Sequence, residues 1–184
     1  DSGSTITETT FAPTNWDSNG DFGRGFGDRM AVDPIDPDHV VAGGPNTVLR
    51  ESRDGGATWS DTAVPAGVRH PHLADGSSNQ ILSVGITGVA FDRTSKAVDG
   101  RTGTAYAASW GNGVYRTLDG GDTWESIGGP TTVEHASVDG AGRYYAIFGD
   151  KNGPWGVSMY DGAWHDVTPP GYDPGAVGGI ASVE

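Results

Sequence analysis

Acidic side chains and histidines are the residues in this sequence whose types and spacing could do chemistry. The chain has 24 Asp and Glu residues, and carboxyl groups can act as general acids or bases or can hydrogen-bond to the backbone of a turn. The loop at 17–21 has oxygen ligands at alternate positions, as calcium loops do, but it lacks the closing Glu. His70 and His72 are close enough for zinc, but the sequence indicates no third ligand. We therefore predict no metal, no cofactor and no catalytic residue in this chain.

Aromatic side chains in loops are the better candidates for a binding function. Sugars present flat faces of C–H groups that stack on aromatic rings. Trp110 and Trp155 fall between the second and third predicted strands of their repeats, whereas Trp16 and Tyr172 fall between repeats. We predict that these four residues contact substrate, and ordinary packing is the alternative for Trp110 and Trp155.

An eight-residue phrase occurs twice, and both copies fit the pattern S/T-x-D-G-G-x-T-W. Its Asp can accept hydrogen bonds from the backbone of its own turn, and its paired glycines supply positive φ angles. Its Trp ring is large enough to wedge between packed sheets. None of these roles is catalytic, so we predict that both copies form hairpin turns with a structural role. The structural positions are Ser52, Asp54, Gly56, Trp59, Thr117, Asp119, Gly121 and Trp124.

The two phrases belong to a longer repeat. A third copy at 158–164 has lost one residue, and an apolar strand ending in Asp33, Asp92 or Asp139 precedes each copy. The intervals from strand Asp to phrase Asp are 21, 27 and 22 residues, which indicates a repeated structural unit. Each unit contains four short strands. They are predicted at 30–32, 39–42, 47–50 and from 58; at 86–91, 104–108, 113–116 and 123–127; and at 136–138, 144–148, 157–160 and 163–167.

This pattern predicts an all-β fold made of four-stranded antiparallel β-propeller blades. We expect a partial propeller of about three blades with flanking strands. The three predicted blades are 29–63, 64–131, which contains an insertion, and 132–170. Residues 1–28 are predicted to form the end of a preceding blade and a loop, and residues 171–184 the start of another blade. Three blades leave open sheet faces, so further blades of a longer chain, or self-association, are expected to cover them.

Composition narrows the choice of partners. The net charge of −13 disfavours nucleic acid and anionic membranes, and no apolar stretch approaches membrane-spanning length. The chain has no Cys, so disulfides and thiolate metal sites are excluded. These features fit a secreted protein and leave neutral ligands open.

Several segments resemble the xyloglucanases of glycoside hydrolase family 74. The run Gly25–Pro34, followed by Pro37–Val40, is similar to the family segment G-x-G-E-R-L-A-V-D-P-N-N-P-N-x-L. Trp110–Thr117 resembles the G-N-G-L-W-R-S approach to a phrase of the kind above, known as an Asp-box. Thr87–Asp92 resembles the strand V-G-I-x-W-V-T-F-D, and Val177–Ile180 resembles the entry into a following blade.

The resemblance implies part of a two-propeller endo-β-1,4-glucanase that binds xyloglucan in the cleft between its propellers. Such enzymes are inverting and use one Asp as general acid and another as general base. Neither catalytic motif of the family occurs in this sequence. The chain is therefore expected to supply scaffold and cleft loops to a secreted polysaccharide hydrolase and to be inactive alone. The alternative is a non-catalytic Asp-box propeller for protein or glycan recognition, of the sortilin-like or sialidase-like kind.

Overall fold

A computed structural model describes residues 28–45, 47–68, 84–149 and 154–172. Within these ranges the chain forms three four-stranded sheets and one two-stranded hairpin, all antiparallel, and no helix. The prediction of an all-β fold is confirmed. No described segment is a helix long and apolar enough to cross a membrane. The strands are β1 Met30–Val32, β2 Val40–Ala42, β3 Arg50–Ser52, β4 Ser60–Asp61, β5 Ile86–Phe91, β6 Ala97–Val98, β7 Arg101–Thr102, β8 Ala105–Ser109, β9 Gly113–Thr117, β10 Glu125–Gly128, β11 Val133–Val138, β12 Tyr144–Phe148, β13 Gly156–Tyr160 and β14 Trp164–Asp166.

Each large sheet is a meander of chain neighbours. The strand orders are β1-β2-β3-β4, β5-β8-β9-β10 and β11-β12-β13-β14, which we call the first, second and third blades. The first strands of the second and third blades, β5 and β11, pack against each other, and β1 packs against β5 on the other side. Every blade therefore presents its first strand to the same inner side. These sheets lie inside the predicted ranges 29–63, 64–131 and 132–170, whose limits as units stay a prediction.

Two apolar cores lie between the blades. The core between the first and second blades contains fully buried Val41 and Leu49 on one side and Ala105, Ala107 and Trp124 on the other. Adjacent residues on a strand point to opposite faces, so the remaining positions of β8 face the third blade. There, the rings of Tyr106 and Tyr144 stack with their centroids 4.7 Å apart. The central blade is thus covered on both faces.

The third strand of the first blade differs from its prediction at 47–50. It begins at Arg50 and ends at Ser52 because the preceding residues form a turn and pair outside the ladder. The backbone N–H of Gly44 donates to Oγ1 of Thr47 at 2.8 Å, and the Thr47 hydroxyl donates back to the Gly44 carbonyl. Leu49 then pairs with Val64 and is fully buried. The apolar run 47–49 was the misleading signal, since its burial comes from a loop.

The hairpin β6–β7 was not predicted. It lies between the first and second strands of the second blade and explains that repeat's longer interval. Asp99 lies at the tip of the hairpin with a φ of 48°, a backbone conformation that residues other than glycine rarely adopt. β7 carries Arg101 and Thr102 to the first blade, where both are buried.

The two ends of the strands form two chemically different edges. The described parts of the connections between second and third strands open on one end, which we call the loop edge. These parts are 43–45, 47–49, 110–112, 149 and 154–155. The turns that follow the first strands open on the opposite end, together with the hairpins that join third to fourth strands. We call this opposite end the box edge. β1, β5 and β11 line a cavity of about 520 Å³ that runs between the edges, from Asp28 to Arg93.

Candidate functional site

The first Asp-box forms a closed hydrogen-bonded turn on the box edge. Oδ1 of Asp54 accepts the Thr58 backbone N–H at 2.8 Å, and Oδ2 accepts the Thr58 hydroxyl. Ser52 donates its hydroxyl to Asp54 and accepts the Gly56 N–H at 2.8 Å. The indole N–H of Trp59 donates to the Gly56 carbonyl at 3.0 Å, and the ring is half-buried. Both oxygens of Asp54 are therefore occupied inside the turn.

The second Asp-box repeats this geometry. Asp119 accepts the backbone N–H and the hydroxyl of Thr123, while Thr117 donates to Asp119 and accepts the Gly121 N–H at 2.9 Å. Trp124 belongs to the core between the first and second blades. These hydrogen bonds hold the pKa of Asp119 below its usual range although its burial raises it. An ionised carboxylate committed to its own turn is an acceptor for structure.

The third hairpin contains no such turn. Asp161 instead lies 3.0 Å from Nε2 of His165 on the following strand. Gly162 has a φ of 117°, which allows a tighter reversal with one residue fewer. The lost residue thus removed the hydrogen-bonded turn and left the strand pairing in place.

Trp110 lies on the loop edge but is buried. The residue has 3% of its surface exposed, and the segment that leaves the first blade crosses this loop. The Val68 N–H donates to the Trp110 carbonyl at 2.7 Å, and the Trp110 N–H donates to Gly85. The side chain of Asn112 fixes the same segment by donating to the Ala66 carbonyl. Packing, the alternative considered for Trp110, is what this burial favours.

Trp155 and Tyr172 are half-buried side chains at the loop edge of the third blade. The Trp155 ring lies flat on Gly149, where even a methyl group would come within 1.7 Å of ring atom Cε3. Tyr172 follows Thr168, whose hydroxyl accepts the Val157 N–H next to this loop. Both rings therefore belong to one end of one blade. Trp16 lies outside the described residues.

Asp28 and His135 are polar residues at the mouth of the inner cavity that the sequence did not single out as a pair. Asp28 has a φ of 55°, and its carbonyl accepts the Val89 N–H of the second blade at 2.7 Å. Its carboxylate lies 3.7 Å from Nδ1 of His135 in the third blade. The imidazole lowers the pKa of Asp28. Asp28 thus connects all three blades and is ionised at neutral pH.

A buried charged cluster joins the first and second blades at the box edge. His39 is completely buried, with Nδ1 2.8 Å from Oδ2 of Asp33 and Nε2 2.9 Å from Oε1 of Glu51. Asp33 also accepts the backbone N–H of Thr102 at 2.8 Å. Sequence analysis identified Asp33 as the end of a strand and missed its partners. Thr102 belongs to the next repeat, and His39 lies in the same repeat but six residues further along the chain.

Two arginines contribute positive charge to this cluster. Arg53 donates through Nε to Glu51 at 2.8 Å and through Nη2 to Asp122 at 2.6 Å. Arg101, on the inserted hairpin, lies 3.6 Å from Glu51 and 3.3 Å from Asp122. In the described ranges no three His, Cys, Asp or Glu side chains are grouped to hold a metal ion. The loops at 17–21 and 70–72 lie outside those ranges.

Comparison with known proteins places the chain in one family, although no protein-family model matches it. It is 32% identical over 165 residues to a xyloglucanase from Paenibacillus sp, covering 80% of this chain and 16% of that protein. It is 30% identical over 199 residues to a probable oligoxyloglucan-reducing end-specific xyloglucanase from Neosartorya fischeri, covering 92% of this chain and 22% of that protein.

The fold comparison agrees. The crystal structure of the GH74 xyloglucanase from Xanthomonas campestris matches with a TM-score of 0.64 and 28% sequence identity, over 80% of this chain and 23% of that one. The chain spans about a fifth of the length of the relatives it matches. Its blades are thus a β-propeller portion of such an architecture. The chain belongs to glycoside hydrolase family 74.

Proposed function

We propose that this chain supplies scaffold and cleft loops to a secreted glycoside hydrolase that degrades xyloglucan or a related β-1,4-glucan. The observation that carries the proposal is the separation of the two edges. The Asp-boxes close hairpins on one edge, which leaves the loops of the other edge free to differ from blade to blade. Xyloglucanases are the relatives that share this stretch of sequence.

Trp155 and Tyr172 are the aromatic residues proposed to contact the polysaccharide. Both lie on the loop edge of the third blade and keep part of their rings exposed. Gly149 supports the inner face of Trp155, so the ring has a fixed orientation before any ligand arrives. A ring held in this way loses little conformational entropy on binding. Trp16 stays a predicted contact, and Trp110 contributes to the loop's packing.

The catalytic acid and base are proposed to lie in other parts of a longer protein. Inverting hydrolysis needs two carboxyl groups about 6.5–9.5 Å apart on either side of the bond. Asp54 and Asp119 are committed to their turns on the wrong edge. Asp33 and Glu51 are buried beside His39, where no polysaccharide can reach them.

The test is a comparison of the 184-residue chain with the full-length protein that contains it. We expect release of reducing sugars from xyloglucan by the full-length protein and none by the short chain. Trp155→Ala in the full-length protein should raise KM, since stacking on a single ring contributes on the order of 1 kcal/mol. Turnover by the short chain would contradict the placement of the acids. A full-length protein inactive on all β-glucans would favour a recognition propeller.

A further inference from the structure

We propose that His39 is an imidazolium ion in the folded protein and that its proton holds the first and second blades together. The contact between these blades then depends on pH. It is strongest in mild acid and weakens as the pH rises and His39 loses its proton.

Both ring nitrogen atoms of His39 face acidic groups. Each faces a carboxylate at less than 3 Å, Asp33 at Nδ1 and Glu51 at Nε2. A neutral imidazole carries one N–H, so its other nitrogen would direct a lone pair at a carboxylate oxygen. The contact at Nε2 is poorly aligned for a hydrogen bond, which makes it mainly electrostatic. Only the doubly protonated ring suits both neighbours.

The two carboxylates are poorer sites for the proton than the imidazole. Oδ1 of Asp33 accepts the Ile35 N–H at 2.8 Å and the Thr102 hydroxyl, and Oδ2 accepts the Thr102 N–H in addition to His39. Glu51 already accepts from Arg53. A proton on Asp33 would displace one of these donors. Burial raises the pKa of Glu51, but its contacts with His39 and Arg53 outweigh burial and hold that pKa below its usual range. The cluster therefore stores the proton on the imidazole.

Charge balance gives the same assignment. Asp33, Glu51 and Asp122 carry three negative charges, whereas Arg53 and Arg101 supply two positive charges. The third positive charge is that of His39. Three other acidic residues lie near His39: Asp36 and Asp38 on the same turn, and Asp92 directly after β5. The Phe91 ring of β5 packs against the imidazole edge to face, with the two ring centroids 5.3 Å apart. Every nearby acidic group therefore favours the charged ring.

The cluster spans two blades, so its protonation affects their contact. Four members of the cluster belong to the first blade: Asp33, His39, Glu51 and Arg53. Their partners in the second blade are Arg101, Thr102 and Asp122. Loss of the proton would leave an uncompensated negative charge at a buried interface, where such charges are costly. The expected response is separation of the blades or rearrangement of the β6–β7 hairpin.

The direction of the pH effect follows from the environment of the ring. Burial lowers the pKa of His39, but its close contacts with the Glu51 and Asp33 carboxylates outweigh burial and raise the pKa above 6.5. A group whose pKa is higher in the folded state stabilises that state fully below its unfolded pKa. The stabilisation is lost as the pH rises through the folded value. The sensitive range therefore begins at about 6.5 and extends upward.

The experiment measures thermal unfolding of the full chain by tryptophan fluorescence between pH 5.5 and 9.5. We expect the Tm of the wild type to fall across this range by at least about 3 °C. His39→Gln should remove most of this slope. His165→Gln is the matched control, since His165 also lies 3.0 Å from a carboxylate but is exposed and within one blade. The control should keep the wild-type slope.

A second measurement covers the case in which His39→Gln does not fold. Nitrogen NMR of the histidine rings in the wild type reports protonation directly, and His39 is identified by its contact with the Phe91 ring. We expect both ring nitrogens of His39 to be protonated at pH 6.5. A neutral ring at that pH, or parallel Tm curves for the wild type and His39→Gln, would overturn the proposal.

Discussion

Glu51 and Arg116 occupy equivalent positions in consecutive blades, each directly before the first residue of an Asp-box, and each contacts the next blade. Glu51 lies 3.6 Å from Arg101 of the second blade. Arg116 donates to the Tyr160 hydroxyl of the third blade at 3.3 Å and lies 5.6 Å from the centre of that ring. The same position in the repeat thus joins neighbouring blades, with an acidic residue in the first blade and a basic residue in the second. The next blade supplies the complementary group in each case.

The first prediction uses the closeness of Glu51 to the second Asp-box. A Cβ at Gly121 would lie 2.6 Å from Oε1 of Glu51, whereas a Cβ at Gly56 would meet nothing closer than 3.7 Å. The two glycines have φ angles of 97° and 91°, so the backbone strain of an alanine is similar at both. Glu51 is held by Arg53 and His39 and has little freedom to move.

We therefore expect Gly121→Ala to destabilise the fold more than Gly56→Ala, by roughly 1–3 kcal/mol for the added steric conflict. Chemical denaturation of both variants measures the difference. Equal losses would mean that Glu51 moves away without cost. Recovery of Gly121→Ala by Glu51→Ala is not expected, since that change would remove the partner of His39.

The second prediction separates packing from binding among the loop-edge tryptophans. Trp110→Ala should lower the free energy of unfolding by about 3–5 kcal/mol because it empties a buried site. Trp155→Ala should cost less, since that ring is half exposed. Denaturation of both variants and xyloglucan binding by calorimetry provide the measurements. A stable Trp110→Ala variant that lost binding would restore Trp110 as a sugar contact.

The third prediction concerns the pH response of Asp139, in the turn after β11. Hydrogen bonds from the side chain and the backbone of Arg143 lower the pKa of Asp139 to about 2. A carboxyl group with a lowered pKa stabilises the folded state at pH values above the unfolded pKa of 3.8. This stabilisation is lost as the pH falls through about 2. Carbon NMR of the carboxyl group should show a midpoint near 2.

The variant Arg143→Gln should move that midpoint toward 3.8. Arg93→Gln is the control, since it removes an arginine beside Asp92, at the corresponding turn of the second blade. A wild-type midpoint near 3.8 would show that Arg143 does not engage Asp139 in solution.

The fourth prediction addresses the aspartates of the Asp-boxes. Asp54→Ala and Asp119→Ala should each lower the Tm, because each leaves a Thr N–H and hydroxyl without their acceptor. In a full-length protein the catalytic rate at a permissive temperature should stay unchanged. Abolished activity at unchanged Tm would contradict the structural assignment.

Strand order and the turns on the box edge could be predicted from sequence because their information is local. Three apolar strands ending in Asp and two complete Asp-boxes recur at similar intervals, and each box closes with hydrogen bonds within seven residues. The predicted beginning of β3 was wrong because Leu49, which looks like a strand residue in the sequence, lies in a loop and pairs with Val64. Periodicity along one strand carries no information about a loop that folds over it.

Contacts between blades could not be predicted, since they join residues far apart in the chain. Asp33 and Thr102 are 69 residues apart, and the inserted hairpin that brings them together has no counterpart in the other repeats. The burial of Trp110 depends on the segment around Val68 that crosses its loop. A tryptophan in a loop looks the same in the sequence whether the ring is covered or exposed.

The meander order of the strands affects how the chain folds and how it unfolds under mechanical force. Every strand-pairing ladder joins strands that are chain neighbours or are separated only by the short β6–β7 hairpin, so each blade closes short loops. Side chains such as Tyr144, whose hydroxyl donates to the Gly88 carbonyl 56 residues away, then join finished blades. Pulling on the chain ends therefore loads the blades in series, and the array is expected to yield in steps, one blade at a time.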